Sequence, residues 1–297
     1  MSEGSLRSRF THNVAKSVVG RAVILGGGGV TGIAWETGVL KGLQDAGTDL
    51  AAADAIIGTS AGSFAGTYLA AGLVNQFFDA QFDDDVVEIA ATMSPESIGA
   101  FRKAIAEGGG DPRVTGRGLG RMALAAATVS SEARAAVVAS RLSSVDWPDA
   151  PLQMTAIDAE TGDLHLLDRA SGIPLATAAA ASGAVPGLWP AVEAQGRKWI
   201  DGGSCSPTNA SLGAGYNRVV VIAPAAEGLP GSRGARDEVA DLEARGVQVI
   251  LIVPDERTRE AIGDNVFDPT RRGPAAEGGR RQGQAAAADV KSVWGAD

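Results

Sequence analysis

The order of apolar runs along the chain constrains its fold more than any other feature. Short runs rich in β-branched residues, at 21–25 (RAVIL), 54–58 (DAIIG), 152–158 (LQMTAID), 163–167 (DLHLL), 218–223 (RVVVIA) and 247–253 (VQVILIV), alternate with stretches of helical character. Several are apolar at successive positions, as strands are when helices cover both faces of a parallel sheet. Between the first two, Ile33, Leu40 and Leu43 fall on one stripe of a helix predicted over 32–46, and Gly47 is placed to cap its end. Such alternation predicts an α/β fold of three layers, α/β/α, around a mostly parallel central sheet. Residues 80–145 depart from it. They read as a helical insertion or cap over a site, with a long loop expected at 107–118 (EGGGDPRVTGRG). The Arg-, Gly- and Ala-rich tail from Asp268 is expected to begin loosely and end in a helix. We read 1–20 as an N-terminal arm, 21–214 as the core and 215–297 as strands and helices that complete the same domain.

Composition removes several classes of function. The formal net charge is −9 over 297 residues, which gives no long-range attraction to nucleic acid. One cysteine, Cys205, allows no intrachain disulfide, and without a CxxC or His-rich tract no metal site is expected. The first residues hold no apolar signal-like core, and no run approaches the ~18 residues of a membrane span. The expectation is a soluble, cytoplasmic protein.

The stretch VILGGGGVTG places four glycines, Gly26 to Gly29, between the first strand and the first helix. Gly27, Gly29 and Gly32 match GxGxxG in the context of a dinucleotide site. Such a site also needs an acidic residue after the second strand. TSAGS stands there instead, and no Lys follows Gly32 as a phosphate loop requires. What replaces the acidic residue is GxSxG, Gly58 to Gly62, at a strand-to-helix turn. A serine on such a sharp turn, here Ser60, presents its hydroxyl above the sheet, and the residues two before and two after it are small because they come close together. The two motifs explain each other. An ester attacked by Ser60 develops an oxyanion, and backbone N–H groups of the neighbouring glycine loop are suited to hold it.

A serine nucleophile needs a base. His12 lies in the polar N-terminal stretch, and His165 sits inside a short strand, where a structural role is the plainer reading. Two aspartates close strands: Asp158 ends LQMTAID, and Asp201 ends RKWID before Gly202 and Gly203. For either one a turn-forming role is the ordinary reading, and chemistry ranks Asp201 only slightly ahead. Cys205 reads as a small buried hydrophobe.

These motifs resemble those of the patatin-like phospholipases, which combine a GxGxxG loop, a GxSxG serine and an Asp-Gly-Gly or Asp-Gly-Ala motif. ASGAVPGLWPAV (181–192) is similar to that family's Ala-Ser-x-Ala-x-Pro segment. The resemblance spans about 23 to 205 and implies a patatin-like α/β/α fold and a serine hydrolase of lipid esters without cofactor, metal or catalytic histidine. Ser60 would be the nucleophile, Asp201 the proton acceptor, and the Gly28 and Gly29 amides the oxyanion hole. The substrate would be a lipid or other acyl ester, met with at most a transient membrane-surface contact. One departure stands out: where the family often has Arg or Lys before the last loop glycine, this chain has Thr31. A transacylase using the same serine, a nucleotide-binding protein and a catalytically silent binding protein remain the alternatives, and oligomeric state is left open.

Overall fold

The computed structural model describes residues 20–83, 87–142, 145–228 and 231–295. His12 and nearly all of the arm at 1–20 lie outside them. The described residues form one eight-stranded sheet. Its parallel part contains β1 (Arg21–Leu25), β2 (Ala55–Gly58), β3 (Leu152–Asp158), β7 (Arg218–Ile222) and β8 (Gln248–Ile252), in the spatial order β3-β2-β1-β7-β8. Three further strands, β4 (Leu164–Leu167), β5 (Val192–Ala194) and β6 (Arg197–Asp201), pair antiparallel at the β3 end.

Side-chain alternation in these strands supplies two apolar faces. Val23, Leu25, Ile56, Val220 and Ile222 point to one side, with Trp35 and Leu43 of α1 (Gly29–Asp45) and Phe64 and Tyr68 of α2 (Ala61–Ala70). Ala22, Ile24, Ile57, Val219 and Val221 point to the other, beneath α8 (Ala235–Ala244). Each such branched side chain contributes about 1.5–3 kcal/mol on burial, so both helical layers are held by the strands between them. No described helix is long and apolar enough to cross a membrane.

Two expectations are corrected. The stretch 107–118 is not a long loop: α4 (Pro95–Gly108) and α5 (Pro112–Ala125) meet across residues 109–111. Asp111 accepts the Arg113 and Val114 amides at 2.8 and 3.2 Å, and Pro112 begins the helix, so the polar run is a cap followed by a first turn. This pair packs through Ala104, Leu119 and Ala123 on Ile157 and Ile200 of the sheet. The tail is also more ordered than it reads, since α10 (Arg272–Trp294) takes up nearly all of it. Glycine weakens an isolated helix by about 1 kcal/mol per residue. Here Gly279 and Gly283 lie against the backbone of α1, and burial of Ala275, Ala276 and Val290 outweighs that cost.

The sheet also determines what meets what. Met154 pairs with both Gly58 of β2 and Leu167 of β4, while Ala156 pairs with both Asp201 of β6 and His165 of β4. β4 therefore occupies one edge of β3, and β2 and β6 share the other in tandem. They run in opposite directions, so the last residues of β2 and β6 approach each other end to end.

Candidate functional site

Ser60 stands two residues after the end of β2 and caps the N-terminus of α2, with φ 53° and ψ −111°. A non-glycine residue in the left-handed region is uncommon and marks a backbone held by its surroundings. The turn is sharp: a Cβ on Gly58 would stand 2.5 Å from the Gly62 carbonyl oxygen. Two hydrogen bonds fasten it to the end of β1, from the Thr59 amide to the Leu25 carbonyl and from the Gly62 amide to the Gly26 carbonyl, both 2.9 Å. The elbow and the glycine loop are thus one hydrogen-bonded unit.

Within the loop, Gly27 faces the Ser60 side chain, but its amide is taken by the Pro207 carbonyl at 2.7 Å. Gly29, with φ 62°, starts α1, and the Gly32 amide returns to the Gly28 carbonyl at 2.8 Å. Among the described residues, the Gly28 and Gly29 amides have no protein acceptor. They are the free donors of this loop, at a helix N-terminus where negative charge is favoured.

Asp201 ends β6, and the tandem arrangement delivers it to the elbow. Its carboxylate accepts the Gly203 amide at 2.6 Å, and the Ser60 hydroxyl lies near enough to draw its pKa down. Asp201 is 4% exposed. Burial lifts its pKa to about 6, against the pull of Ser60, the Gly203 amide and the Arg134 charge.

Asp158 is brought to a different place. It stands two positions farther along β3 than Ala156, the partner of Asp201, roughly 6–7 Å at strand spacing. One of its oxygens accepts the Glu160 and Thr161 amides at 2.9 and 3.1 Å, and the other meets Arg197 at 2.6 Å. Burial pushes its pKa up, but those partners together outweigh burial and hold it below the ordinary value. His165 rests edge-on against Trp199, ring centroids 5.2 Å apart, with Nε2 unpartnered. Burial raises the Cys205 thiol to about 11, so it is not a thiolate at neutral pH.

A small cavity of about 20 Å³, room for about one water molecule, lies beside Ser60. Its lining includes Gly29, Phe64, Trp189, Phe267 and two arginines, Arg134 and Arg141, of α6 (Ser131–Leu142). The cover over Ser60 within the section 80–145 therefore comes from α6, not from 107–118. A larger cavity of about 380 Å³ adjoins Cys205 and Asn209 instead, between α5 and the turn after β6. It does not include Ser60, and the geometry assigns it no part in chemistry at that residue. Among the described residues, no group of three or more His, Cys, Asp or Glu side chains is placed to hold a metal.

Comparison with known proteins gives this geometry a context. A family model described as patatin-like phospholipase matches residues 23–212, more than half of the chain. The chain belongs to the patatin-like phospholipase family. At the level of the family it is a lipid acyl hydrolase. Among solved structures, VipD from Legionella pneumophila is similar with a TM-score of 0.43 and 13% identity, over 93% of this chain and 67% of that one. No curated protein matches.

The chain departs from the family's usual loop at Thr31, which is wholly buried. Its amide and hydroxyl both donate to the Val266 carbonyl, at 3.1 and 3.3 Å. The position that often carries a cation is spent on anchoring the segment that brings Phe267 to the cavity. Sequence reasoning missed several supporting groups. Ser182, at the end of α7 (Leu175–Ser182), accepts the Ser60 amide at 2.9 Å. Asn209 donates to the Gly202 carbonyl and to Thr59 Oγ1, at 3.0 and 3.1 Å, and Thr155 donates to the same Thr59 oxygen at 3.0 Å. Arg134 had a legible signal: with Val137, Val138, Arg141 and Leu142 it forms the buried stripe of α6 at helical spacing, so both arginines lie on an apolar face.

Proposed function

We propose that this protein hydrolyses carboxylic esters of lipids with Ser60 as nucleophile, Asp201 as general base and the Gly28 and Gly29 amides as the oxyanion hole. The observation that carries the reading is the buried Asp201 carboxylate at the elbow, lifted to a pKa of about 6 by burial and pulled back by the Ser60 hydroxyl beside it. A carboxylate near that value is mostly ionised at neutral pH, yet basic enough to take a proton as the hydroxyl attacks. Ser60 Oγ adds to the ester carbonyl and its proton passes to Asp201. The carbonyl oxygen, now negative, is met by donors already in place, each typically worth about 2.7–4 kcal/mol to the transition state. Collapse expels the alcohol, which takes the proton from Asp201, and leaves an acyl-Ser60 ester. Asp201 then deprotonates a water that attacks this ester, and Ser60 is regenerated.

A fluorophosphonate probe tests the assignment. Labelling of the native protein at Ser60, lost together with ester hydrolysis in Ser60→Ala, is the expected result. Persistent labelling in that variant overturns it.

A further inference from the structure

Arg134 is a buried cation beside Ser60 to which the proposed chemistry gives no contact with substrate. Arg134 is 6% exposed and lines the same cavity as Ser60 and Gly29. Its guanidinium lies over the Trp189 ring, 4.3 Å from the centroid, and its Nε and Nη1 groups have no hydrogen-bond partner. The neighbouring guanidinium is different. Arg141 is held by both oxygens of Glu88, at 2.9 and 2.5 Å, while no hydrogen bond joins Glu88 to Arg134 among the described residues. The other carboxylate that acts on Arg134 is Asp201, which accepts the Gly203 amide and makes no hydrogen bond to Arg134 among the described residues.

A buried guanidinium whose Nε and Nη1 have no acceptor is costly, because those donors have lost water and gained no hydrogen bond. Burial, with the repulsion of Arg141, drives its pKa down to about 9, so it remains charged at neutral pH. Stacking on an indole face satisfies only the plane of the group. The rim, with its N–H donors, is the part that matches a carboxylate or phosphate. The cavity has room for a group the size of one such oxygen. The glycine loop offers no cation of its own, since Thr31 is buried against Val266.

We infer that Arg134 is a specificity residue which binds an anionic group, a phosphate or carboxylate, carried by the acyl substrate beside the ester that Ser60 attacks. This inference rests on the proposed function for the existence of an ester, but not for the anion site. Arg134 reaches the cavity from the helical insertion, so substrate charge is read by α6 and the acyl carbonyl by the glycine loop.

The test has a kinetic and a binding arm. In the first, kcat/KM is compared for a neutral monoacylglycerol and its glycerol phosphate counterpart, and for 4-nitrophenyl butyrate and 4-nitrophenyl hemiglutarate. Both members of a pair use the same base, so any change at Asp201 cancels in the anionic-to-neutral ratio. The ratio should favour the anionic esters and fall roughly 10–100-fold in Arg134→Gln, the range of a hydrogen bond to a charged group. Arg134→Lys should retain part of the preference. A loss confined to one pair distinguishes phosphate from carboxylate recognition. An unchanged ratio in folded Arg134→Gln, or no anionic preference in the unmodified protein, overturns the inference. The binding arm titrates the unmodified protein with dodecyl phosphate and with dodecanol, neither of which is a carboxylic ester. Tighter binding of the phosphate, by tenfold or more, supports the anion site even if no ester is hydrolysed and the proposed function fails. Equal binding of the two rejects it, and this arm stands if Arg134→Gln does not fold.

Discussion

The hydroxyl of Ser182 accepts the backbone N–H of Ser60 at 2.9 Å and is hydrogen-bonded to Ser63 Oγ at 2.6 Å. One wholly buried side chain thus fixes the first residue of the elbow and the first turn of the helix behind it. Ser182→Ala leaves the Ser60 amide without a partner, at a cost of about 1–3 kcal/mol. It also frees a backbone that otherwise holds φ at 53°. We expect a lower Tm together with a fall in kcat larger than any change in KM. Unchanged kcat in a destabilised variant would make Ser182 a packing residue only.

The tandem placement of β2 and β6 predicts which aspartate matters. Asp201→Asn keeps the size of the side chain but cannot take the serine proton, and kcat should fall by about 10²–10⁴-fold. Asp158→Asn, in a residue bound to two amides and Arg197, should change kcat only a few-fold. His165→Gln should retain most turnover, since that ring meets Trp199 rather than Ser60. Steady-state kinetics on the three variants decides the matter, and a dead Asp158→Asn beside an active Asp201→Asn would reverse the assignment.

What was legible in the sequence was local. Strand 21–25, the Ser60 turn and the glycine run before α1 follow from apolar alternation and from where bare backbone is required, and each is found within a few residues of its expected place. The choice between Asp158 and Asp201 was not legible, because it depends on two strands sharing an edge of β3, a contact between segments far apart in the chain. The Thr59, Thr155 and Asn209 cluster stayed hidden for the same reason. The stretch 107–118 departs from its expected loop for a different reason: Gly108 to Gly110 suggest a loop, but Asp111-Pro112 marks a helix start directly after them. Arg134 was overlooked because arginine on a helix is ordinarily solvated, and only its register with Val137 and Val138 reveals otherwise.

The pKa of Asp201 sets a pH profile. The ionised form is the base, so kcat/KM for a neutral ester should be low at pH 5, rise through an inflection near 6 and be flat by pH 8. Arg134 holds that pKa down by its charge, and in Arg134→Gln the inflection should move to higher pH. A flat profile between pH 5 and 8 in the unmodified protein would show that no such buried carboxylate limits the reaction.

The same shift makes a prediction about stability. Asp201 has an ordinary value of 3.8 and a value of about 6 in the folded protein. Because the folded pKa is the higher one, the contribution is fully present below about pH 4, where both states are protonated. It is lost as pH rises through 6, when the folded protein must ionise a buried carboxyl. From 3.8 to about 6 corresponds to up to about 3 kcal/mol of lost stability at neutral pH. Asp201→Asn does not titrate and can still accept from the Gly203 amide. It should therefore melt several degrees above the unmodified protein at pH 8, with the difference closing as pH falls toward 4. The residue would then hold its place at the expense of stability, as groups selected for catalysis do. Thermal melts of both proteins at pH 4, 6 and 8 test this. A variant no more stable than its parent at pH 8 would mean that the favourable partners of the carboxylate, the Gly203 amide, Ser60 and the Arg134 charge, and not its burial, dominate this site.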